Sequence, residues 1–459
     1  MTLKKPLFVL CVVVMAAFVV GLAAPAWANV YASSLKVTGD KSFSYILNED
    51  ATAGVQIQVW QVGGGMVYSE DLGVKGKGVH NYTWSGAGGV VGNSYQIKIV
   101  AAATGYGGWT KISDDSNTAL CHWLPRGVVV NQDQRSADFG QIYIGNSQGG
   151  TDHLGTNTPT GIYKVNPDGT ANGWGAAGVD WGTAAHRLKV ALGADDNHLY
   201  MADVYDDTAY EISPDLQSSI KLNDSSNLSN YGASNAQWVR AIVVTGSQAA
   251  GNRKIYLCDS NYYDTEHKGL VMYDLGANSR ATPGDKGTQY IGPSYFTYYP
   301  YDVERDAAGN WYMNNYRATA GQAPFLMKFM DGTPPINTPA WEASNQYTYG
   351  MAISINEKFG WVAGVNYNTG MVYVFNKETG ALISSFDSGT RGEDLAFDAA
   401  GNIYVADAYD EYTRIWSPGG ANSFTTTSYF TFDVVPEPSA FVALLAGLPG
   451  LLIFKRRRN

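Results

Sequence analysis

The feature that most constrains this chain is an internal repeat. Residues 199–207 (LYMADVYDD) and 403–411 (IYVADAYDE) align without a gap. Related apolar strands recur along the chain, and one central residue anchors each of them: Tyr143, Tyr200, Tyr256, Tyr312, Val362 and Tyr404. The steps between these anchors are 57, 56, 56, 50 and 42 residues. Six units of three or four short strands each predict a six-bladed β-propeller.

The composition agrees with an all-β chain. Of its 459 residues, 52 are glycine and 31 are tyrosine, whereas only 16% are charged. Glycine-rich turns and aromatic strands are typical of β structure rather than of helical bundles. The formal charge of −10 argues against a nucleic acid as the partner, because phosphate binding needs clustered Lys and Arg.

Two hairpin motifs carry a family resemblance. Asp-Ala-Ala-Gly-Asn-x-Tyr occurs at residues 306–312 and again at residues 398–404. The glycine permits the positive φ that a tight hairpin requires. The motif resembles the hairpin of NHL-type propellers, which implies a propeller over residues 107–433. A strand at residues 423–434 could complete the ring by pairing with a strand from the start of this domain.

The region before the repeat predicts a small sandwich. Between residues 42 and 103, apolar side chains alternate with polar ones in three segments, centred on Tyr45, Ile57 and Ile97. This period is typical of antiparallel strands with one buried face. The order of these segments and of Trp84-Ser85-Gly86 resembles FlgD-type Ig-like modules. We therefore assign residues 29–106 to an Ig-like β-sandwich, with a core role for Trp84.

The N-terminus has the pattern of a secretory signal peptide. Lys4 and Lys5 precede an uncharged apolar run, and Ala26 and Ala28 occupy the two small positions of a cleavage site. Residues 1–28 are thus predicted to be removed by signal peptidase, with an uncleaved membrane anchor as the alternative.

The C-terminus, residues 434–459, contains three parts in a fixed order. Pro436, Glu437 and Pro438 are followed by an uncharged run over residues 440–454 and then by Arg456, Arg457 and Arg458. This order resembles the PEP-CTERM sorting signal of Gram-negative bacteria. The resemblance implies transient anchoring by a transmembrane helix in the inner membrane, recognition by an exosortase, and release to the cell surface or matrix. A simple tail anchor, or an apolar tail packed on the domain, is the alternative.

Polar residues follow the anchoring strands of five repeats: Asn146, Asp203, Asp259, Asn314 and Asp407. Hydrolases whose propellers are related to the NHL type, which this chain resembles, hold one divalent ion through such residues. Oxygen ligands suit Ca²⁺ or Mg²⁺. The alternative is that each side chain caps a turn at a strand end.

Cysteines and aromatic residues complete the set of candidates. Cys121 and Cys258 could form one disulfide in an oxidising compartment, or remain two buried thiols. Tyr262-Tyr263 and the segment at residues 295–301 could contact sugar faces or a protein partner, or fill the space between blades. The expected function is non-catalytic binding of extracellular polysaccharide or envelope proteins. The alternatives are a metal-dependent hydrolase or lactonase in the propeller channel, and a spacer without a ligand.

Overall fold

The structure is a computed structural model that describes residues 30–434 except 180, 182–187, 224–237, 261–267, 293–295, 297–298, 317–323, 344–346 and 348. The described residues form strands and loops, with no helix among them, so the all-β prediction is confirmed for this part. Accordingly, the described residues contain no helical segment with the length and apolarity needed to cross a membrane. The signal-peptide residues Ala26 and Ala28 lie outside this range. So do Pro436, Glu437, Pro438, Arg456, Arg457 and Arg458 of the sorting signal.

The N-terminal region is a two-sheet β-sandwich. One sheet has the order β1 (Ala32–Gly39), β2 (Ser42–Leu47) and β5 (Gly78–Thr83). The other has the order β33 (Asn422–Asp433), β6 (Ser94–Ala103), β3 (Gly54–Gln61) and β4 (Met66–Asp71). The alternating side chains predicted to be buried do form one core between the sheets, together with the fully buried Trp84.

The last strand corrects the predicted domain boundary. β33 does not complete the propeller ring: it pairs antiparallel with β6, from Asn422 opposite Ala103 to Asp433 opposite Ser94. The apolar side of β33 explains this position, because Phe432 enters the sandwich core and Phe430 packs against it. The propeller is therefore inserted between two neighbouring strands of the sandwich.

Six four-stranded sheets, the blades, make up the propeller in the described residues. Blade 1 contains β8 (Pro125–Val130), β9 (Ile142–Asn146), β12 (Gly161–Val165) and β13 (Ala171–Gly175). Blade 2 contains β14 (Leu188–Leu192), β15 (Leu199–Asp203), β16 (Thr208–Ile212) and β17 (Ser219–Lys221). Blade 3 contains β18 (Val239–Thr245), β19 (Arg253–Asp259), β20 (Gly269–Gly276) and β21 (Thr288–Ile291).

The second half continues the same pattern. Blade 4 contains β22 (Tyr299–Arg305), β23 (Trp311–Tyr316), β24 (Leu326–Phe329) and β25 (Trp341–Glu342). Blade 5 contains β26 (Gly350–Asn356), β27 (Trp361–Asn366), β28 (Met371–Asn376) and β29 (Leu382–Asp387). Blade 6 contains β30 (Gly392–Phe397), β31 (Ile403–Asp407), β32 (Tyr412–Ser417) and β7 (Thr110–Lys111). A short hairpin of β10 (Gly150–Thr151) and β11 (Asn157–Thr158) extends blade 1.

The ring is closed by the short strand β7. The innermost strands β8, β14, β18, β22, β26 and β30 contact one another in cyclic order around a central channel. The outermost strand of blade 6 comes from the start of the domain, where Thr110 and Lys111 pair with Ser417 and Trp416. Joining the first segment to the last blade removes two open sheet edges.

Both Asp-Ala-Ala-Gly-Asn-x-Tyr motifs form the predicted hairpins. Gly309 and Gly401 have φ of 94° and 90°. In the first motif Asp306 accepts hydrogen bonds from the backbone and side-chain amides of Asn310. Asp398 binds Asn402 in the same way. These hairpins lie at the C-terminal ends of the innermost strands, on a side that we call the turn rim.

The sandwich packs on the turn rim. The amide of Ser34 donates to the carbonyl of Phe139, and the amide of Thr427 donates to Oε1 of Gln134, both at 3.0 Å. Tyr31 adds ring contacts to Phe139. The opposite side of the propeller, where the innermost strands begin, is called the entry rim. The contacts of Ser34, Thr427 and Tyr31 all lie on the turn rim and not on the entry rim.

Candidate functional site

Aromatic side chains collect on the entry rim of blades 3 to 5. We define the aromatic cluster as Trp238, Tyr299, Tyr301, Tyr316, Tyr349 and Tyr367. Each of them lies where an innermost strand begins or where the second strand of a blade ends. Because these strands are antiparallel, both kinds of position fall on the same rim.

Tyr316 lies at the centre of the aromatic cluster. Its ring centroid is 4.9 Å from that of Tyr301, 5.7 Å from Tyr367 and 6.1 Å from Tyr349. These are the distances of tilted and edge-to-face aromatic pairs. Five of the six rings are half-buried, whereas Tyr301 is buried beneath them. The cluster is thus a platform of mutually packed rings, five of which are partly accessible to solvent.

Two arginines contact the aromatic cluster, the buried Arg240 and the exposed Arg391. The guanidinium carbon of Arg240 lies 4.4 Å from the Tyr301 ring centroid, and Nη1 donates a 2.9 Å hydrogen bond to the Tyr301 hydroxyl. Arg391, an exposed residue before blade 6, lies 5.4 Å from the Tyr367 ring and 5.0 Å from that of Tyr409. Cation–π contacts of this kind orient donors beside aromatic faces.

Backbone strain is found at the same place. Tyr349 has a φ of 55°, a conformation that bulky side chains rarely adopt. Its carbonyl accepts a 3.0 Å hydrogen bond from the amide of Tyr367, which ties two rings of the cluster together. Strain held in this way is frequent at ligand sites.

The sequence anticipated only part of this cluster. Tyr299 and Tyr301 belong to the segment singled out above, whereas Phe296 is a core residue, as the alternative had it. Tyr262, Tyr263, Tyr295 and Tyr298 lie outside the described residues. Trp238, Tyr316, Tyr349 and Tyr367 were missed, although their shared position at strand ends of successive repeats was a signal that could have revealed them.

The five candidate metal ligands all lie on the entry rim and are almost fully buried. Asn146 accepts from the amide of Leu124, and Asn314 accepts from the amides of Tyr301 and Asp302. Asp203 accepts from the amide of Tyr205. Asp259 is the last residue of β19, as Asn146, Asp203 and Asp407 are the last residues of their strands, whereas Asn314 lies two residues before the end of β23.

Asp407 accepts four backbone hydrogen bonds. One of its oxygens accepts from the amides of Tyr409 and Asp410, and the other accepts from those of Thr390 and Arg391. These bonds match the turn-capping alternative. In the described part of the chain, no three His, Cys, Asp or Glu side chains are grouped as a metal site would require.

The central channel holds an ion cluster that the sequence analysis missed. Nζ of Lys189 in blade 2 donates to Asp302 of blade 4 at 3.2 Å and to Asp394 of blade 6. Burial alone would lower the pKa of Lys189, but the two carboxylates outweigh it and raise that pKa. Asp302 and Asp394 also accept the amides of Ile353 and Val128, so the ion cluster links five blades.

Of the two states that the sequence left open for its cysteines, the disulfide is not formed. Cys121 and Cys258 are both free and buried, as the alternative had it. Cys258 lies in the core around blades 3 and 4. The backbone of Cys121, in contrast, forms an isolated antiparallel β-bridge with that of Tyr412 in blade 6. Their separation onto different blades explains why the two thiols cannot meet.

Comparison with known proteins identifies no family. No protein-family description matches the sequence, and no curated protein does either. A structural-genomics protein of unknown function from Bacteroides thetaiotaomicron is 12% identical, with a TM-score of 0.43 over 84% of this chain and 98% of that one. The β-propeller domain of Cps50 (Swd1) from Myceliophteria thermophila is 13% identical, with a TM-score of 0.40 over 67% and 98%. A luciferin-regenerating enzyme is 9% identical, with a TM-score of 0.42 over 72% and 99%. The propeller assignment itself rests on the strand pairing described above.

Proposed function

We propose that this protein is an exported surface or matrix protein whose propeller binds polysaccharide without catalysis. The observation that carries the proposal is the aromatic cluster with the exposed Arg391 on the entry rim. Aromatic faces stack on the apolar faces of sugar rings, and the Arg391 guanidinium beside them is placed to donate to hydroxyl or carboxylate oxygens. A rigid platform binds such a ligand with little loss of side-chain entropy.

The position of the sandwich supports the assignment of the ligand site to the entry rim. The sandwich packs on the turn rim through contacts with blades 1 and 5, and the proposed sorting signal follows the sandwich strand β33 in the sequence. The entry rim, with the aromatic cluster, lies on the opposite side of the propeller from the sandwich. Export by signal peptidase, exosortase processing, the FlgD-type and NHL-type relationships, and envelope proteins as alternative partners belong to this same proposal.

The test is binding of soluble polysaccharides to the full-length protein. Dextran, xylan and alginate serve as neutral and acidic probes in affinity electrophoresis and calorimetry. We expect at least one of them to bind, with a loss of about tenfold or more for Trp238→Ala and for Tyr367→Ala. The control is Tyr429→Ala, since Tyr429 is an exposed tyrosine of the sandwich strand β33. Binding that is unchanged in both cluster variants would overturn the assignment of the site.

The competing hydrolase hypothesis predicts a different result. It requires a stoichiometric divalent ion, such as Ca²⁺ or Mg²⁺, that is lost when Asp203→Ala and Asp407→Ala are combined. Elemental analysis of the purified protein, followed by assays for lactone and ester hydrolysis, separates the two functions. Metal-dependent turnover that disappears in this double variant would replace the binding function with an enzymatic one.

A further inference from the structure

The central channel contains a second candidate site, away from the aromatic cluster. A cavity of about 570 Å³ extends from the Lys189 ion cluster to the turn rim. It is lined by all six innermost strands and by the turns that follow several of them. Its volume lies within the range of small-molecule sites in proteins.

The walls of this cavity are largely aliphatic. Val129, Ala191 and Val243 are half-buried side chains contributed by blades 1, 2 and 3. Blade 4 contributes Glu304, whose carboxylate has no hydrogen bond or ion pair to any residue that the structure describes. Lys189 cannot compensate it, because Asp302 and Asp394 already bind its ammonium group.

The electrostatic surroundings of Glu304 favour a cation. Burial raises its pKa well above the usual range, and the negative charges of Asp302 and Asp394 raise it further, against Lys189. The mouth of the cavity adds the acidic residues Asp133, Asp195, Asp306 and Glu357, of which Asp133 pairs with Arg135, and Asp306 and Glu357 pair with Lys377. Carboxylates still outnumber the cations Lys189 and Arg305 in the lining, and an excess of negative charge in a channel favours the entry of cations.

We propose that the channel cavity binds an aliphatic amine, with an ammonium group on the Glu304 carboxylate and its methylene chain along Val129, Ala191 and Val243. An anion would be repelled by the excess of carboxylates, because the Lys189 ammonium is already paired with Asp302 and Asp394. A metal ion would lack a set of three grouped ligands in the described residues. An alkylammonium ion satisfies both the single unpaired carboxylate and the aliphatic walls. This site is separate from the polysaccharide site and does not depend on it.

The experiment is calorimetric titration of the full-length protein with butane-1,4-diamine at pH 8. Butane-1,4-diol has the same carbon chain without charge, and succinate has the opposite charge. We expect the diamine to bind and neither the diol nor succinate to bind measurably.

Two matched variants locate the site. E304Q removes the charge at nearly constant volume and should weaken diamine binding about tenfold or more. E342Q changes an exposed glutamate on the outermost strand of the same blade and should leave the affinity unchanged. Circular dichroism checks that both variants remain folded. The proposal is overturned if wild-type protein does not bind the diamine, if the diol binds equally well, or if E304Q and E342Q behave alike.

Discussion

The hydroxyl of Ser94 donates a 2.5 Å hydrogen bond to the carboxylate of Asp433, which follows it by 339 residues. The two residues face each other at one end of the β6–β33 pair, and the whole propeller lies between them in the chain. A strand from each side of the propeller therefore completes one sandwich sheet. The sandwich sheet is complete only when the chain returns from the propeller. We therefore expect the two domains to fold and unfold together.

The first prediction concerns this shared sheet. Phe432→Ala should lower the free energy of unfolding by about 3–5 kcal/mol, because Phe432 is 7% exposed and packs in the sandwich core. Urea unfolding followed by circular dichroism measures the change. Tyr429→Ala, on the same strand and 44% exposed, should cost less than about 1 kcal/mol. Equal effects of the two variants would contradict the position of β33.

The second prediction concerns pH at the interface between sandwich and propeller. Burial raises the pKa of Glu49 in the sandwich to about 8 and that of Asp398 in the propeller to about 7. The Tyr106 hydroxyl donates to Glu49 at 3.1 Å and partly opposes this shift. Both groups bind protons more tightly in the folded state than in the unfolded chain. Stability should therefore fall as the pH rises from about 4.5 to 8.

Thermal unfolding between pH 5 and pH 9 checks this dependence. Glu49→Gln removes the larger titration and should flatten the profile, since the amide cannot ionise. Glu342→Gln, on an exposed outer strand, should retain the wild-type profile. A melting temperature that rises steadily over this interval in the wild-type protein would show that neither carboxyl is held protonated.

The third prediction tests the capping role of Asp407. Asp407→Ala leaves four backbone amides without their acceptor and should destabilise the protein by at least about 2 kcal/mol. Asp387→Ala is the control, since Asp387 is exposed and accepts one bond, from Gly389. Denaturant unfolding without added metal compares them. A loss of stability that appears only when Ca²⁺ or Mg²⁺ is present would instead indicate a ligand role.

The fourth prediction concerns the thiols. Burial raises the pKa of Cys121 to about 11, and that of Cys258 is also raised well above its usual range. In protein without residues 1–28, which contain the third cysteine, Cys11, neither thiol should therefore react with Ellman's reagent in the native state, whereas both should react after denaturation without reductant. Intact mass under non-reducing conditions provides an independent check. A mass lower by two hydrogens would show that a disulfide does form.

Several features of the fold were readable in the sequence because they depend on near neighbours. The hairpin at residues 398–404 follows from one glycine at positive φ and one aspartate that accepts from Asn402. The alternation of Phe43, Tyr45 and Leu47 places one face of β2 in the core. The repeat spacing predicted the number of blades because nearly every blade is built from strands that follow one another in the chain.

The sequence by itself thus determined the strands, the hairpins and the number of blades. The tertiary structure decided which edges meet: β33 joins β6, and β7 joins β32. It also brought Lys189, Asp302 and Asp394 together from three blades, and placed Tyr316 among rings from its neighbours. Local patterns record whether a side chain faces a core, because that depends on strand period. They do not record long-range partners, since a charged residue bound for a buried channel has the same local pattern as one facing solvent.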